Sequence, residues 1–515
     1  QIINDHFIAI RVDQDARPDV SKQYENWGWP ATIFFDSNGR ELVKRAGYIP
    51  PARMASILNA IVEDPTPGPS ATQDAPVPDG DKLQEPSALT KELERRYEAS
   101  YDKEHGAWGF VHKFMDGPST ELAMELGRKG DAAREAMARK TLDGQLNLVD
   151  PAWGGVYQYS TGGVWSEPHF EKIMSFQADN LRVYSLAYRL YGEEKYLTAA
   201  KAVHGFLVRF LTSPEGAFYT SQDADLVKGQ HSEDYFKLTD AERVKLGIPK
   251  VDQHRYAREN GWAIAAYTEF YAATGDQAVL DAARKAAVWV KKNRALKNGG
   301  FSHDERDAAG PYLGDTLAMG NAFLALYGTD ASRGWLEDSE KAARFVMARF
   351  AAAKGKNGFV PFVESGSTPL KPAPDRDENV AAARFFIRLH HATGRPEYKA
   401  AAESSRAFLN QPEVAIRGTA GSALLVQREV GRAPVHLTTI GSKKDAVARA
   451  LHTAALFFPS GYKRVEWWDR KEGPLPHTDV EYPVLDRPAA FACGEGRCSL
   501  PAYTPDQLKL RAKAL

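Results

Sequence analysis

Tyr188-Arg-Leu-Tyr-Gly192 is a turn that this chain repeats, as Tyr271-Ala-Ala-Thr-Gly275 and as His391-Ala-Thr-Gly394. A glycine closely following an aromatic ring and an apolar periodic run is typical of the end of a helix. An alanine-rich segment with apolar residues at helical spacing follows each turn, which predicts a second helix. These second helices are predicted over Ala199–Leu211, Ala282–Val290 and Ala400–Leu409.

Glycine loops separate the predicted helix pairs between residues 87 and 430. The pattern predicts about twelve helices in pairs of roughly 50–80 residues. Such pairs cannot bury their apolar faces alone and must stack on neighbours. We therefore predict a mainly α fold, a closed (α/α)6 toroid of six helical hairpins whose inner helix ends and glycine loops face a central funnel. The loops are Gly106-Ala-Trp-Gly-Phe110, Gly154-Gly-Val156, Gly216-Ala-Phe218, Gly299-Gly-Phe301 and Gly358-Phe359.

Residues 1–63 have the pattern of a small α/β unit. Apolar runs predict strands at Phe7–Val12, Ala31–Phe35 and Glu41–Arg45, and Pro51–Val62 predicts an amphipathic helix. This order matches the second half of a thioredoxin fold, so the domain is partial in this chain. Pro30 stands where that fold places its cis-proline. Residues 64–86 are rich in proline, glycine and serine, which predicts a linker.

Residues 431–515 predict a small C-terminal α/β appendage. Val435–Gly441 and Val465–Trp468 have strand patterns, and Asp445–Phe457 has a helical one. The chain has two cysteines, Cys493 and Cys498. Their spacing is neither the CxxC of a redox helix nor a zinc site. A local disulfide and two free thiols are both compatible with it.

Charge and composition narrow the function classes. The chain has 515 residues, 66 basic and 67 acidic, and a net charge of −1. This even balance argues against nucleic-acid binding through a basic surface. Apolar runs are too short to span a membrane. The chain starts at Gln1 without an initiator methionine, and the sequence does not decide the compartment: a soluble cytoplasmic protein, or an exported one if an upstream signal peptide was removed, are both compatible with it.

The stretch Trp165-Ser-Glu-Pro-His-Phe-Glu-Lys172 concentrates titratable groups before an apolar helical run. Pro168 suits the first turn of a helix, because its missing N–H costs nothing there. Glu167 and Glu171 would then lie near one face of that helix. His169 titrates near neutral pH. The alternative is a capped helix whose charged first turn faces water.

Several motifs resemble one family in order along nearly the whole chain. They include Asp13-Gln-Asp-Ala-Arg-Pro-Asp19, Gly28-Trp-Pro30, Gly154–Thr161, Pro168-His-Phe-Glu-Lys172, Thr212–Asp225 and the cysteine pair before Leu500-Pro501. They are similar to the DUF255 family, also called YyaL-like or spermatogenesis-associated protein 20-like. The resemblance implies a thioredoxin-like domain joined to a six-hairpin toroid of the kind seen in sugar-processing enzymes, without a proven reaction.

This chain departs from the family pattern at four places. Phe176-Gln177 replaces an Asp-Asn pair, and Leu226–Gly229 replaces an acidic Ser-Glu-Gly run. Glu259-Asn-Gly261 replaces Trp-Asn-Gly, and Arg376–Asn379 replaces Pro-Ser-Gly-Asn. These positions are where the chemistry of the funnel is expected to differ from that of the family.

The first functional hypothesis is a funnel that binds or processes a carbohydrate. Hydrolysis needs two carboxylates about 5–10 Å apart, whereas an epimerase or isomerase needs paired acid and base groups. The predicted catalytic residues are His169, Glu171, Asp223 and Asp225. The predicted substrate-binding residues are Trp165, Tyr157, Glu259, Asn260, Asp315, Glu378 and Asn379. Further aromatic platforms and scattered histidines are Trp108, Trp153, Tyr159, Trp262, His254, His303 and His390.

Each of these residues also has a structural interpretation. Aspartates in loops commonly cap turns, and aromatics after glycines commonly pack within hairpins. Two other functions stay open. A thiol–disulfide role would need a CxxC upstream of Gln1, and a scaffold role would use the toroid as a binding surface, with a protein partner on the thioredoxin-like domain. No motif indicates a metal or an organic cofactor.

Overall fold

The computed structural model describes residues 1–72, 85–227, 229–230, 232–307, 309–364, 370–494 and 496–513. The N-terminal unit contains an antiparallel hairpin of β1 (Ala31–Phe35) and β2 (Glu41–Ala46). The Trp29–Pro30 peptide bond is cis, at the position where a thioredoxin fold has its cis-proline. The helices of this unit are α1 (Ile2–His6), α2 (Pro18–Tyr24), α3 (Pro51–Glu63) and α4 (Pro69–Thr72).

The predicted strand Phe7–Val12 is wrong. The segment is extended but unpaired within the described chain, and the side chains of Ile8 and Ile10 are 90% and 79% exposed. A strand needs a hydrogen-bonded neighbour. In the described chain, the sheet of this unit consists of β1 and β2, and residues 7–12 pair with neither. The predicted linker, residues 64–86, contains residues 73–84, which lie outside the described ones.

Two rings of helices form the middle of the chain. Among the described residues, six helices make the inner ring and six the outer ring. The inner helices are α6 (Gly117–Arg128), α8 (Met174–Tyr191), α12 (Ala257–Thr274), α14 (Leu313–Asp330), α16 (Arg376–Thr393) and α19 (Ala420–Gly431). The outer helices are α5 (Pro86–Ala99), α7 (Ala132–Gln145), α9 (Glu194–Phe210), α13 (Gln277–Asn293), α15 (Arg333–Arg349) and α17 (Pro396–Leu409).

The inner ring is closed. Each inner helix packs on the next one along the chain, and α19 packs back on α6. The first outer helix, α5, packs against the last inner helix, α19, and so completes the sixth hairpin. The fold is therefore the (α/α)6 toroid that the repeated turns predict. No helix in the described part of the chain combines the length and apolarity needed to cross a bilayer.

The repeated turns end the inner helices in a left-handed residue. Gly192, Gly275 and Gly394 have φ angles of 70°, 69° and 72° and cap α8, α12 and α16. The equivalent turn after α14 has Ala331 at φ 54°. Because alanine stands at this last turn, the glycine pattern in the sequence did not reveal it.

The fourth residue of four inner helices fastens a glycine loop to the toroid. Its side chain accepts the backbone N–H of the loop's last residue at 2.8 to 3.2 Å. The amide side chains also donate to the carbonyl of the same loop residue. We call these residues the loop clamps. The pairs are Gln177 with Val156, Asn260 with Phe218, Thr316 with Phe301, and Asn379 with Phe359.

The stretch before α8 was predicted to be helical, and this prediction is wrong. Pro168–His169 is a short strand, β4, paired with β3 (Tyr159–Ser160), and α8 begins only at Met174. Pairing with β3 holds the backbone extended, so Glu167 and Glu171 do not share a helix face. The other short connecting elements are β5 (Lys172–Ile173), β6 (Ser221–Gln222), β7 (Val251–Asp252), α10 (Glu233–Phe236), α11 (Asp240–Leu246) and α18 (Pro412–Ala415).

The C-terminal appendage is an α/β unit, as predicted. Its described strands are β8 (Val435–Ile440), β9 (Lys463–Trp468), β10 (Ala489–Gly494) and β11 (Arg497–Cys498), in the order β11-β10-β8-β9. β8 and β9 are parallel, and the other pairs are antiparallel. Its helices are α20 (Ala446–Phe457) and α21 (Pro505–Ala512). Cys493 and Cys498 form a disulfide between β10 and β11.

Candidate functional site

Three carboxylates lie at the N-terminal ends of consecutive inner helices. Glu259, Asp315 and Glu378 are each the third residue of their helix, directly before a loop clamp. Glu259 is 4% exposed and Asp315 is 1% exposed. One carboxylate oxygen of each is buried and has no hydrogen-bond partner among the described residues. Buried polar atoms without partners are rare in proteins, and three of them on carboxylates at adjacent helix starts make this acidic row the candidate site.

Arg258 brings the acidic row together. Its Nη2 donates to Glu259 Oε1 at 2.7 Å, and its backbone N–H donates to Asp315 Oδ1 at 2.9 Å. Gly314 leaves space beside it: a Cβ there would lie 2.9 Å from Glu378 Oε1 and 3.2 Å from Arg258 Cδ. One cation therefore faces all the members of the acidic row.

Glu378 is the member of the row that carries a proton at neutral pH. Burial, followed by the charge of Asp375, raises its pKa from 4.5 to about 8, although Lys22 and Arg258 oppose the rise. A carboxylic acid can donate a hydrogen bond or a proton, which a carboxylate cannot do.

His303 adds a second cation next to Asp315. Its Nδ1 lies 2.9 Å from Asp315 Oδ1, and its Nε2 lies 2.7 Å from the backbone carbonyl of Asp15. The ring stacks on Tyr256 at a centroid distance of 4.0 Å. Burial works against the charge of His303, but Asp315 outweighs it and the pKa rises to about 9. Both ring nitrogens face acceptors, which fits the doubly protonated imidazolium.

Glu171, a predicted catalytic residue, lies at the edge of this site. Burial, then the charges of Asp223 and Asp15, raises its pKa to about 7. The next residue, Lys172, is buried and bonds Asp150 Oδ2 at 2.6 Å. Because neighbouring residues of an extended chain point in opposite directions, the buried Lys172 anchors the segment and directs Glu171 to the other side.

The remaining predicted catalytic residues make contacts within their own loops and strands. Asp223 accepts the N–H of Asp225 at 3.0 Å, and Asp225 accepts the N–H of Gly229 at 3.0 Å. These are turn-capping bonds. The ring of His169 packs at a tilt of 35° against Tyr159, with a centroid distance of 5.0 Å. Asp223 still contributes charge near Glu171.

Four predicted substrate-binding residues are placed elsewhere. Asn260 and Asn379 are loop clamps, and their amides are saturated by backbone groups of the loop and of the helix. Trp165 is buried with Nε1 on the carbonyl of His105 at 2.7 Å, and Tyr157 packs edge-on against Phe170.

The further aromatics and histidines divide in the same way. Trp108 and Trp153 are buried within the hairpins. Trp262 lies under the Arg258 guanidinium at 4.9 Å, and so belongs to the site. His254 stacks on Tyr256 near His303. His390 bonds the carbonyl of Arg395 at the other end of α16.

Sequence reasoning missed Arg258 and Asp15 and left His303 without a place. The signal for Arg258 was its position directly before the Glu-Asn pair at the start of α12. No local signal could join Asp15 to His303, since 288 residues separate them. In the described chain, no group of three or more His, Cys, Asp or Glu side chains has the arrangement of a metal site.

Comparison with known proteins bears on the family and on the fold. No family model matches the chain. Human spermatogenesis-associated protein 20 is 28% identical over 263 residues, which cover 44% of this chain and 33% of the human protein. Part of the chain is thus similar in sequence to spermatogenesis-associated protein 20. An uncharacterized protein of Caenorhabditis elegans is 27% identical over 292 residues, covering 49% of this chain and 39% of that protein. The matches thus span about a third of the length of the curated relatives.

A solved structure shares the fold of this toroid. The crystal structure of D-mannose isomerase superimposes with a TM-score of 0.51, covering 70% of this chain and 99% of the isomerase. The sequence identity is 13%, so the likeness concerns the architecture.

Proposed function

We propose that the funnel binds a small carbohydrate and acts on it by acid–base catalysis, in the manner of a sugar isomerase or epimerase. The observation that carries the proposal is the acidic row, which gathers around Arg258 and has one buried carboxylate oxygen on each member without a partner among the described residues. Sugar hydroxyls are donors that would satisfy these acceptors. D-Mannose isomerase, which has the same architecture, is named for a reaction of this class.

The charges of the site suit proton transfer next to a carbonyl group. Such a reaction removes a proton from carbon and places negative charge on the neighbouring oxygen. Arg258 and the His303 imidazolium are the cations that would stabilise this charge. Glu378 holds a proton that it can donate to the oxygen, and Glu171, with a pKa of about 7, can exchange one near neutral pH.

Glycoside hydrolysis is the second reaction that this acidic row could support. It also uses one protonated and one ionised carboxyl group. Glu378 supplies the acid, and Glu259 or Asp315 would supply the carboxylate. Arg258 and His303 favour the isomerase reaction. Hydrolysis develops positive charge on the sugar ring, and a neighbouring cation would repel that charge.

The test is proton NMR of unmodified aldoses, ketoses and disaccharides incubated with the protein in D2O. An isomerase or epimerase exchanges the proton on the carbon next to the carbonyl, whereas a glycosidase releases new reducing ends. We expect exchange with at least one sugar, and a loss of about 10²–10⁴-fold in Glu378→Gln. The control is Glu413→Gln, since Glu413 is exposed on α18. The absence of both reactions, or equal rates in Glu378→Gln and wild type, would overturn the proposal.

A further inference from the structure

The thioredoxin-like unit reaches into the candidate site. The backbone carbonyl of Asp15 accepts the Nε2 proton of His303 at 2.7 Å. Asp13 Oδ1 accepts the N–H of Asp15 at 2.9 Å and shapes the turn that carries it. A residue of the N-terminal unit is thus tied directly to a cation of the toroid site.

This contact rests on a built interface between the two units. Within the N-terminal unit, Asp19 is fully buried and accepts two bonds from Arg17, at 2.8 and 2.6 Å, which fix the segment directly after Asp15. Tyr24 of α2 packs into an apolar cluster with Tyr312, Phe362 and Leu370 of the toroid. Lys22 lies 3.7 Å from Asp375, the N-cap of α16. The interface therefore holds the segment that carries Asp15 in place.

The carboxyl group of Asp15 faces a surplus of negative charge. Acidic groups act on it from three directions: Asp13 on its own segment, Asp252 on β7 and Glu259 on α12. Two cations are close by: Arg258, whose guanidinium is already bonded to Glu259, and the His303 imidazolium, which is already bonded to the Asp15 carbonyl and to Asp315. Burial, then these neighbours, raises the pKa of Asp15 to about 6. Asp15 in turn helps to raise the pKa of Glu171.

An orphaned oxygen indicates that a ligand belongs among these groups. Glu259 Oε2 is buried and has no partner in the described part of the chain. Its other oxygen is the one bonded to Arg258. A donor is therefore missing on the side of Glu259 that Arg258 does not serve.

Building on the proposed function, we propose that Asp15 is part of the funnel site and that the acidic groups around it select a carbohydrate bearing a positively charged amino group. A hydroxyl group can also donate to the unpartnered oxygen, but an ammonium group adds the positive charge that offsets the crowded carboxylates. A cation also favours the ionised form of Asp15 and Glu171, so the preference is expected to grow as the pH rises through 6 and 7.

The test compares D-glucosamine with D-glucose by isothermal titration calorimetry at pH 5.5 and 7.0. We expect glucosamine to bind at least tenfold more tightly at pH 7.0, with a smaller preference at pH 5.5. Asp15→Asn removes the charge but keeps the backbone bond to His303, so it is expected to reduce the preference about fivefold or more. Asp15→Glu keeps the charge and is expected to keep the preference.

Asp5→Asn is the control, because Asp5 is exposed on α1 of the same unit. Unliganded melting temperatures equal to the wild type confirm that each variant is folded. Equal binding of the two sugars, or a preference unchanged in Asp15→Asn, would overturn this inference. The proposed function would still stand if a neutral sugar is turned over. If neither sugar binds and no sugar reacts in the NMR experiment, both this inference and the proposed function are overturned.

Discussion

Glu378 shows how a single residue of the site links chemistry to stability. Its pKa is raised from 4.5 to about 8, so the fold favours the protonated form. For a group of this kind, the stabilising contribution is complete below the unfolded pKa and is lost as the pH rises through the folded value. Wild type should therefore lose stability between about pH 5 and pH 9.

Glu378→Gln is expected to lose less stability over that range, because an amide stays neutral. We expect the variant to exceed wild type at pH 9 by about 1–3 kcal/mol, and to differ little at pH 5. Urea unfolding at the two pH values measures this difference, with Glu413→Gln as the exposed control. A variant whose stability falls with pH as steeply as that of wild type would contradict the assignment.

At the scale of elements, the loop clamps explain why polar residues recur at the same helix position. Asn379 is fully buried and makes its bonds to the backbone of Phe359 and Asp375. Asn379→Ala would leave those backbone groups unsatisfied, at a cost of about 1–3 kcal/mol each. We expect a clear drop in the urea midpoint.

The matched control for Asn379→Ala is Asn59→Ala, which changes an exposed asparagine within α3. Alanine is the better helix former, so this change should be neutral or slightly stabilising. If both variants lose the same stability, or neither does, Asn379 is not a clamp.

Ala331 offers a stabilising change at the end of α14. It occupies the left-handed position that glycine fills after α8, α12 and α16. A residue with a Cβ loses about 1–2 kcal/mol of stability in this left-handed conformation. Glycine avoids that strain, but it makes the unfolded chain more flexible, which offsets part of the gain. Ala331→Gly is therefore expected to raise stability by about 0.5–1 kcal/mol. Gly275→Ala, at a turn with open space around it, should destabilise the protein by a similar amount. Urea unfolding measures both variants, and a loss of stability in Ala331→Gly or a gain in Gly275→Ala would contradict this prediction.

At the scale of the whole molecule, Glu121 joins the beginning of the ring to its end. Its carboxylate accepts from Arg182 at 2.8 Å and from Arg384 at 2.7 Å. Arg384 also bonds Glu429 of α19 at 2.7 Å. Burial opposes ionisation of Glu121, but Arg384 and Arg182 outweigh it and lower the pKa. The stability that Glu121 contributes is present above the unfolded pKa and is lost on acidification.

Glu121→Gln is expected to destabilise the protein by about 3–5 kcal/mol at pH 7, because it leaves buried arginines short of charge. The loss should shrink at pH 4. Melting curves at both pH values measure it, with exposed Glu94→Gln of α5 as the control. An effect no larger than that of the control would mean that the network does not close the ring.

Local patterns predict the ring because each hairpin repeats the same short signals. They fail where distant residues decide the conformation: β3 draws Pro168 into a strand, and Phe7–Val12 has the composition of a strand without a neighbour to pair with. The acidic row was predictable from polar residues at helix starts. The proximity of the acidic row to His303 and Asp15 could not be predicted, because it depends on how the thioredoxin-like unit packs against the toroid.

The central claim is that the acidic row at the inner helix ends is a carbohydrate site. The most direct measurement is a thermal-shift screen against mono- and disaccharides with wild type, Glu259→Gln and Asp315→Asn, each referenced to its own unliganded melting temperature. A ligand that binds only the folded state raises that temperature. We predict that at least one sugar stabilises wild type and neither variant. Stabilisation of all three proteins by the same sugars, or of none by any sugar, would contradict the account.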